Sequence, residues 1–133
     1  MKPIRLMTAA LLMLGAGLQL SAAHAQAPGI HRTDLVQQPI SVPGHQTVQV
    51  RVDFDPGAFA PAHTHPGEEI AYVVEGSLEY RLEGRPPVTL KAGESLFIPD
   101  GVAHSARNVG TGKASELATY IVKTGAPLVV LKK

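Results

Sequence analysis

From residue 47 onward the chain alternates apolar and polar residues in short runs cut by glycine and proline. TVQVRVDF sets Val48, Val50, Val52 and Phe54 on one side and Gln49, Arg51 and Asp53 on the other. Successive side chains of an extended strand point to opposite faces, so this spacing suits a half-buried strand and not an amphipathic helix. SLEYRLE repeats it, with Leu78, Tyr80 and Leu82 sharing a side. EIAYVVE, PVTLK, ESLFIP, VAHSARN, SELATYIVK and PLVVLK supply further strands, and DPGAFAPA a turn with a broken one. About eight short strands separated by Gly, Pro and Asp turns indicate an all-β sandwich or barrel. The run Ile70–Val74 is apolar on both faces, which suits the middle of a two-sheet barrel or a contact between two copies.

The chain has 133 residues, room for one domain. Its start differs from the rest. Lys2 and Arg5 precede the apolar run LMTAALLMLGAGLQL and the small-residue site Ala23-His24-Ala25. That is the layout of a signal peptide, and the run is shorter than the roughly 20 residues of a membrane span. The expectation is a signal peptide over 1–25, cleavage after Ala25, and a secreted, periplasmic product without a membrane anchor. Residues 26–46 carry Pro28, Pro39, Pro43, Gly29 and Gly44 and read as an extended arm with a short edge strand. Residues 47–133 are the barrel domain.

Without the signal the twelve basic residues become ten, against eleven acidic ones. No basic block interrupts this balance, so neither nucleic acid nor a membrane surface is an expected partner. The absence of cysteine removes disulfides, thiol catalysis, iron–sulfur clusters and blue-copper chemistry. The core must hold the fold, helped by a metal or by self-association.

Residues 63–69 read HTHPGEE. In a strand His63 and His65 share a face and can grip one ion from adjacent rungs, while Thr64 points away. Pro66-Gly67 bends the chain, so that Glu68 or Glu69 can approach the same point. A third imidazole, His104, follows a Pro-Asp-Gly turn. Three imidazoles and one carboxylate make a normal ligand set for a divalent transition metal. Each fragment alone is an ordinary polar turn; the joint spacing carries the signal.

That spacing resembles the two motifs of the cupin superfamily. The first is Gly57, five residues, His63-Thr64-His65, three residues, Glu69, six residues and Gly76. The second is Gly93, five residues, Pro99-Asp100-Gly101, two residues, His104, three residues and Asn108, with sixteen residues between the motifs. The resemblance implies a jelly-roll β-barrel of two antiparallel sheets with a metal inside, held by His63, His65, Glu69 and His104. Only the family register selects Glu69 over Glu68. Gly57, Gly76, Gly93 and Gly101 fall where turns need positive φ or close approach. Asn108 is expected to bond turn backbone rather than metal, and Tyr72, Tyr80, Phe97 and Tyr120 to serve core or interface. His31 and His45 are expected to face solvent.

Four protein ligands on a metal that prefers six leave positions for water, a substrate oxygen or dioxygen. The resemblance implies a metal-dependent oxidoreductase of dioxygenase type acting on a small enolisable or phenolic substrate, with Glu69 as a candidate base. A non-catalytic module that holds a metal or small ligand is the alternative, and a metal that only staples the barrel a third. The ion is iron, manganese, nickel, copper or zinc. A homodimer is the expected assembly.

Overall fold

The computed structural model describes residues 27–133; the expected signal peptide and cleavage site lie outside the described residues. Ten strands follow in order: β1 (Ile30–Pro39), β2 (His45–Phe54), β3 (Phe59–Thr64), β4 (Gly67–Glu75), β5 (Ser77–Leu82), β6 (Val88–Lys91), β7 (Ser95–Ile98), β8 (His104–Asn108), β9 (Ala114–Lys123) and β10 (Val130–Leu131). They form two five-stranded sheets, β1-β2-β9-β4-β7 and β10-β3-β8-β5-β6, and every pairing is antiparallel. No helix occurs among the described residues. This is the all-β jelly roll that the alternation and the motifs imply.

The pleat sorts the residues as read from the sequence. Val48, Val50, Val52 and Phe54 are buried, as are Leu78, Tyr80 and Leu82. Tyr80 and Tyr120 lie in the core beside small residues: Ala106 stands opposite Tyr80, and Ala71 pairs with Ala118. Tyr72 and Phe97 point outward instead. On β4, Ala71 and Val73 face the core, whereas Ile70, Tyr72 and Val74 are about two-fifths exposed on the outer face, at 41%, 41% and 42%.

The arm holds more structure than a short edge strand. β1 is ten residues long and pairs with β2 from Ile30–Phe54 to Pro39–Gln46, with a bulge between Asp34 and Val36. Pro39 is tolerated because it closes a strand at the sheet's edge. β1 at its full length helps bring the count to ten, and β10 is the two-residue strand that forms within PLVVLK. A strand as short as β10 forms only because β3 is already in place to receive it.

Two glycines bring elements close enough to shape the site. A side chain at Gly67 would place its Cβ 2.1 Å from the Ile121 carbonyl oxygen, so β4 can start against β9 only with glycine there. Gly76 turns the chain from β4 to β5 at φ 76°, and its Cβ would meet the Lys113 carbonyl oxygen at 2.6 Å. The other motif glycines, Gly57, Gly93 and Gly101, also have positive φ.

Candidate metal centre

The site sits inside the barrel, where β3, β4 and β8 converge. His63, the last residue but one of β3, stands directly opposite His104, the first residue of β8. His65 follows β3 by one residue, so the bend at Pro66 turns it inward. Glu69 lies on β4 between Tyr120 of β9 and Ile98 of β7 and is 3% exposed. Glu68 takes the opposite side of the pleat, beside Ile121, which is an exposed outer residue.

The three imidazoles form one cluster, with nitrogens within 4.8 Å of one another. Ring centroids are 4.8 Å apart for His63 and His65, 4.4 Å for His63 and His104, and 5.0 Å for His65 and His104. The Glu69 carboxylate completes it: its Oε2 lies 3.0 Å from His65 Nε2 and 3.1 Å from His104 Nε2.

Hydrogen bonding decides which nitrogen faces the cluster. His63 Nδ1 donates to the Pro61 carbonyl at 2.7 Å, His65 Nδ1 to Leu128 at 2.6 Å, and His104 Nδ1 to Val102 at 3.0 Å. A carbonyl only accepts, so each Nδ1 carries the hydrogen and each neutral ring presents a bare Nε2 lone pair. Two such lone pairs approach a carboxylate oxygen. His65 Nε2 and Glu69 Oε2 are buried without a properly angled hydrogen bond despite their short separation. Buried acceptors facing one another repel unless a proton or a cation lies between them. The donor set therefore fits a divalent metal ion, and the carbonyls behind the imidazoles are the outer partners that fix metal-binding histidines.

The titration behaviour has the same cause. Burial pushes the Glu69 carboxyl upward, but the close His104 and His65 imidazoles overcome it and hold the group well below the usual carboxylate range. Burial lowers the His63 pKa to about 4, aided by the neighbouring imidazoles. Burial also opposes charge on His104, yet Glu69 raises that group overall. In the metal-free protein a proton on His104 can thus play the cation's part.

Other residues fall outside the cluster. His31 Nε2 lies 3.3 Å from Asp55 Oδ2, and His45 Nδ1 bonds the Pro43 carbonyl; both are solvent-facing. Asn108 has a structural place. Its amide donates to the carbonyls of Phe54, Asp55 and Gly112, and its oxygen accepts from the Gly110 amide. A hollow of about 440 Å³ opens beside His104, with Leu82, Glu83, Ala103 and Lys132 among its walls.

One buried pair was not anticipated from the sequence. Tyr80 donates to the Glu116 carboxylate in the core. The parity of SELATYIVK carries the signal, since Glu116 shares the inward side with Ala118, Tyr120 and Val122. Burial first, then the negative charge of Glu69, pushes the Glu116 carboxyl up to about 7; the Tyr80 hydrogen bond, Arg32 and His104 act the other way without overcoming it. A folded pKa above the unfolded 4.5 gives stability that is complete below about pH 4.5 and lost as pH rises toward about 7. We expect Glu116→Gln to flatten the fall in metal-free stability between pH 5 and 8 by about 2–3 kcal/mol. His63 slopes oppositely, gaining from about pH 4 to its ordinary 6.5, and does so in both proteins. Urea unfolding at the two pH values reads the difference, and parallel profiles refute the assignment.

The family model of the cupin domain matches residues 50–120, more than half of the chain. This chain is a cupin. A germin-like protein (subfamily 2 member 2) of Arabidopsis thaliana is 37% identical over 87 residues, covering 59% of this cupin and 40% of that relative. Among solved structures, the dimethylsulfoniopropionate lyase DddQ of Ruegeria pomeroyi superposes with a TM-score of 0.67 at 25% identity, over 87% of this cupin and 57% of that chain. A recombinant oxalate oxidase in complex with glycolate gives 0.64 at 28% identity, over 80% and 57%. The cupin thus spans little more than half of those structures, and about 40% of the germin-like relative.

Proposed function

We propose that this cupin is a metal-dependent enzyme whose ion is held by His63, His65, Glu69 and His104. The observation that carries the reading is the three-imidazole cluster, each ring locked by a carbonyl bond at Nδ1 so that Nε2 is bare, with the buried Nε2 atoms of His65 and His104 turned toward the Glu69 carboxylate. A divalent ion in this place supplies Lewis acidity toward an oxygen donor, and a redox-active one also supports oxygen chemistry. The four donors leave a net positive charge of one, which selects an anionic or enolisable substrate oxygen. The hollow beside His104 lies next to the site and carries Arg81, Lys132 and Glu83 on its wall, so a small polar molecule has charged groups of both signs to meet. Glu69 is the group positioned to accept a proton.

The finer reading is an oxidoreductase of dioxygenase type acting on a small enolisable or phenolic substrate. Relatives that include an oxalate oxidase and a lyase favour an enzyme over a non-catalytic module, and they add small carboxylates to the substrates to be tried. The test begins with elemental analysis of the purified protein. Oxygen uptake is then followed with the native metal restored, against a flavonol, a β-diketone and a small 2-oxygenated carboxylate. Metal-dependent turnover that falls at least about 100-fold in Glu69→Gln supports the enzyme. Tight binding without turnover across the panel replaces it with the ligand-binding module.

The same proposal includes export through residues 1–25, resting on the N-terminal sequence alone, with N-terminal sequencing of the recovered protein as its check. It also includes a homodimer. Ile70, Tyr72, Val74, Phe97 and Ile121 expose an apolar stripe on one outer sheet face, and burying such a stripe against a second copy removes it from water. Sedimentation that shows only monomer at micromolar concentration removes that part.

A further inference from the structure

Beyond β9 the chain returns to the site. The segment 126–132 leaves the first sheet, packs Leu128 against the core, and adds β10 to the free edge of β3. Val130 pairs with Thr64 and Leu131 with His63, and the Lys132 amide donates to the Ala62 carbonyl at 2.9 Å. The same segment supplies the Leu128 carbonyl that accepts the His65 Nδ1 hydrogen, the shortest of the three imidazole–carbonyl bonds at 2.6 Å. The contrast with the other two histidines is informative. His63 and His104 bond carbonyls only two residues back along the chain, Pro61 and Val102, so their orientation is a local property. His65 depends on a carbonyl 63 residues away.

We propose that the segment 126–132 is a positioning strap for the metal centre: its Leu128 carbonyl sets the tautomer and ring angle of His65, and β10 holds the backbone of His63. The inference rests on the metal reading of the site but can be tested apart from it. A free His65 ring loses its reason to keep hydrogen on Nδ1 and offers a protonated Nε2, which cannot bind a cation, for part of the time. The strap's anchorage is slight. β10 is two residues long, Val130 and Leu131 are 50% and 62% exposed, and among the described residues only β3 pairs with it. Docking and undocking of this strap therefore tune the centre without unfolding the barrel.

The test uses two variants of the protein: a chain ended at Gly125, and the full chain with Lys132→Pro, which removes the amide bonded to Ala62 and keeps Leu128. In metal-free wild type, long-range nitrogen–proton NMR correlation at neutral pH is expected to show neutral His65 as the Nδ1–H tautomer. In the chain ended at Gly125 we expect a mixture of tautomers at His65 with His104 unchanged. Zn²⁺ affinity, measured by competition with a chelator, falls about 10–100-fold in that variant and in the same direction, by less, in Lys132→Pro. A purely structural strap would lower Tm while leaving the His65 tautomer alone. An unchanged tautomer with Zn²⁺ affinity within about twofold of wild type overturns the proposal. If the shortened chain does not fold, Lys132→Pro decides by the same two readouts. A wild-type chain that binds no metal defeats the functional reading, while the tautomer measurement still judges the strap.

Discussion

His104→Ala is expected to lower divalent-metal affinity by more than about 100-fold, because loss of an outer partner alone costs ~10–100-fold and this change removes a proposed ligand. The ring contributes one of three nitrogens gathered within 4.8 Å, and its Nε2 lies 3.1 Å from Glu69 Oε2. Without it, Glu69 keeps only His65 as a close partner, and the remaining donors leave one flank of the ion to water. The matched control is Glu68→Gln, on the opposite side of the β4 pleat, which should bind as wild type does. Elemental analysis after dialysis, with Zn²⁺ titration of the metal-free proteins, makes the measurement. One firmly held ion per chain in His104→Ala would remove His104 from the ligand set.

Asn108→Ala is expected to cost about 2–4 kcal/mol, since it removes four hydrogen bonds to backbone at once. The amide bonds the Phe54 and Asp55 carbonyls at the end of β2 and the Gly112 carbonyl before β9, while its oxygen receives the Gly110 amide. Alanine replaces none of these four contacts; Asn108 is only 2% exposed, and its bond to Phe54 is fully buried. For a domain of this size the loss corresponds to a Tm lower by roughly 10–25 °C. Metal content per folded chain should be unchanged, because Asn108 lies away from the cluster. Asn108→Asp should fare no better: it keeps an acceptor for Gly110 but loses the donors and buries a charge. A Tm within a few degrees of wild type would contradict the role, as would metal loss with the fold intact.

Particular residues show how far sequence reading reached. The alternation of Val48, Val50, Val52 and Phe54 is a property of neighbours along one strand, and all four are buried. His63 and His65 follow the same rule of two, and the positive φ of Gly57, Gly76, Gly93 and Gly101 answers turns of a few residues each. Glu69 over Glu68 was legible only through the family spacing; in the fold it is the pleat of β4 that turns one inward and the other out. Glu116 carried a parity signal, but a charged residue on an apolar face reads as surface until Tyr80, 36 residues earlier, is known to meet it. The full length of β1 was hidden by Pro28, Pro39 and Pro43 at and around its ends, because tolerance of proline depends on whether the strand lies at an edge.

The sequence by itself therefore determined the strand-forming pattern, the turns and the inventory of possible ligands, since these follow from steric rules that act within a few residues. Tertiary structure alone decided that His104 stands across from His63, that the Leu128 carbonyl holds His65, and that Asn108 ties the end of β2 to the loop before β9. Those contacts depend on sheet register and on the order of strands, which bring together residues up to 63 apart for the His65 bond. A register shift of one residue would leave every local rule satisfied and turn each of these side chains away from its partner.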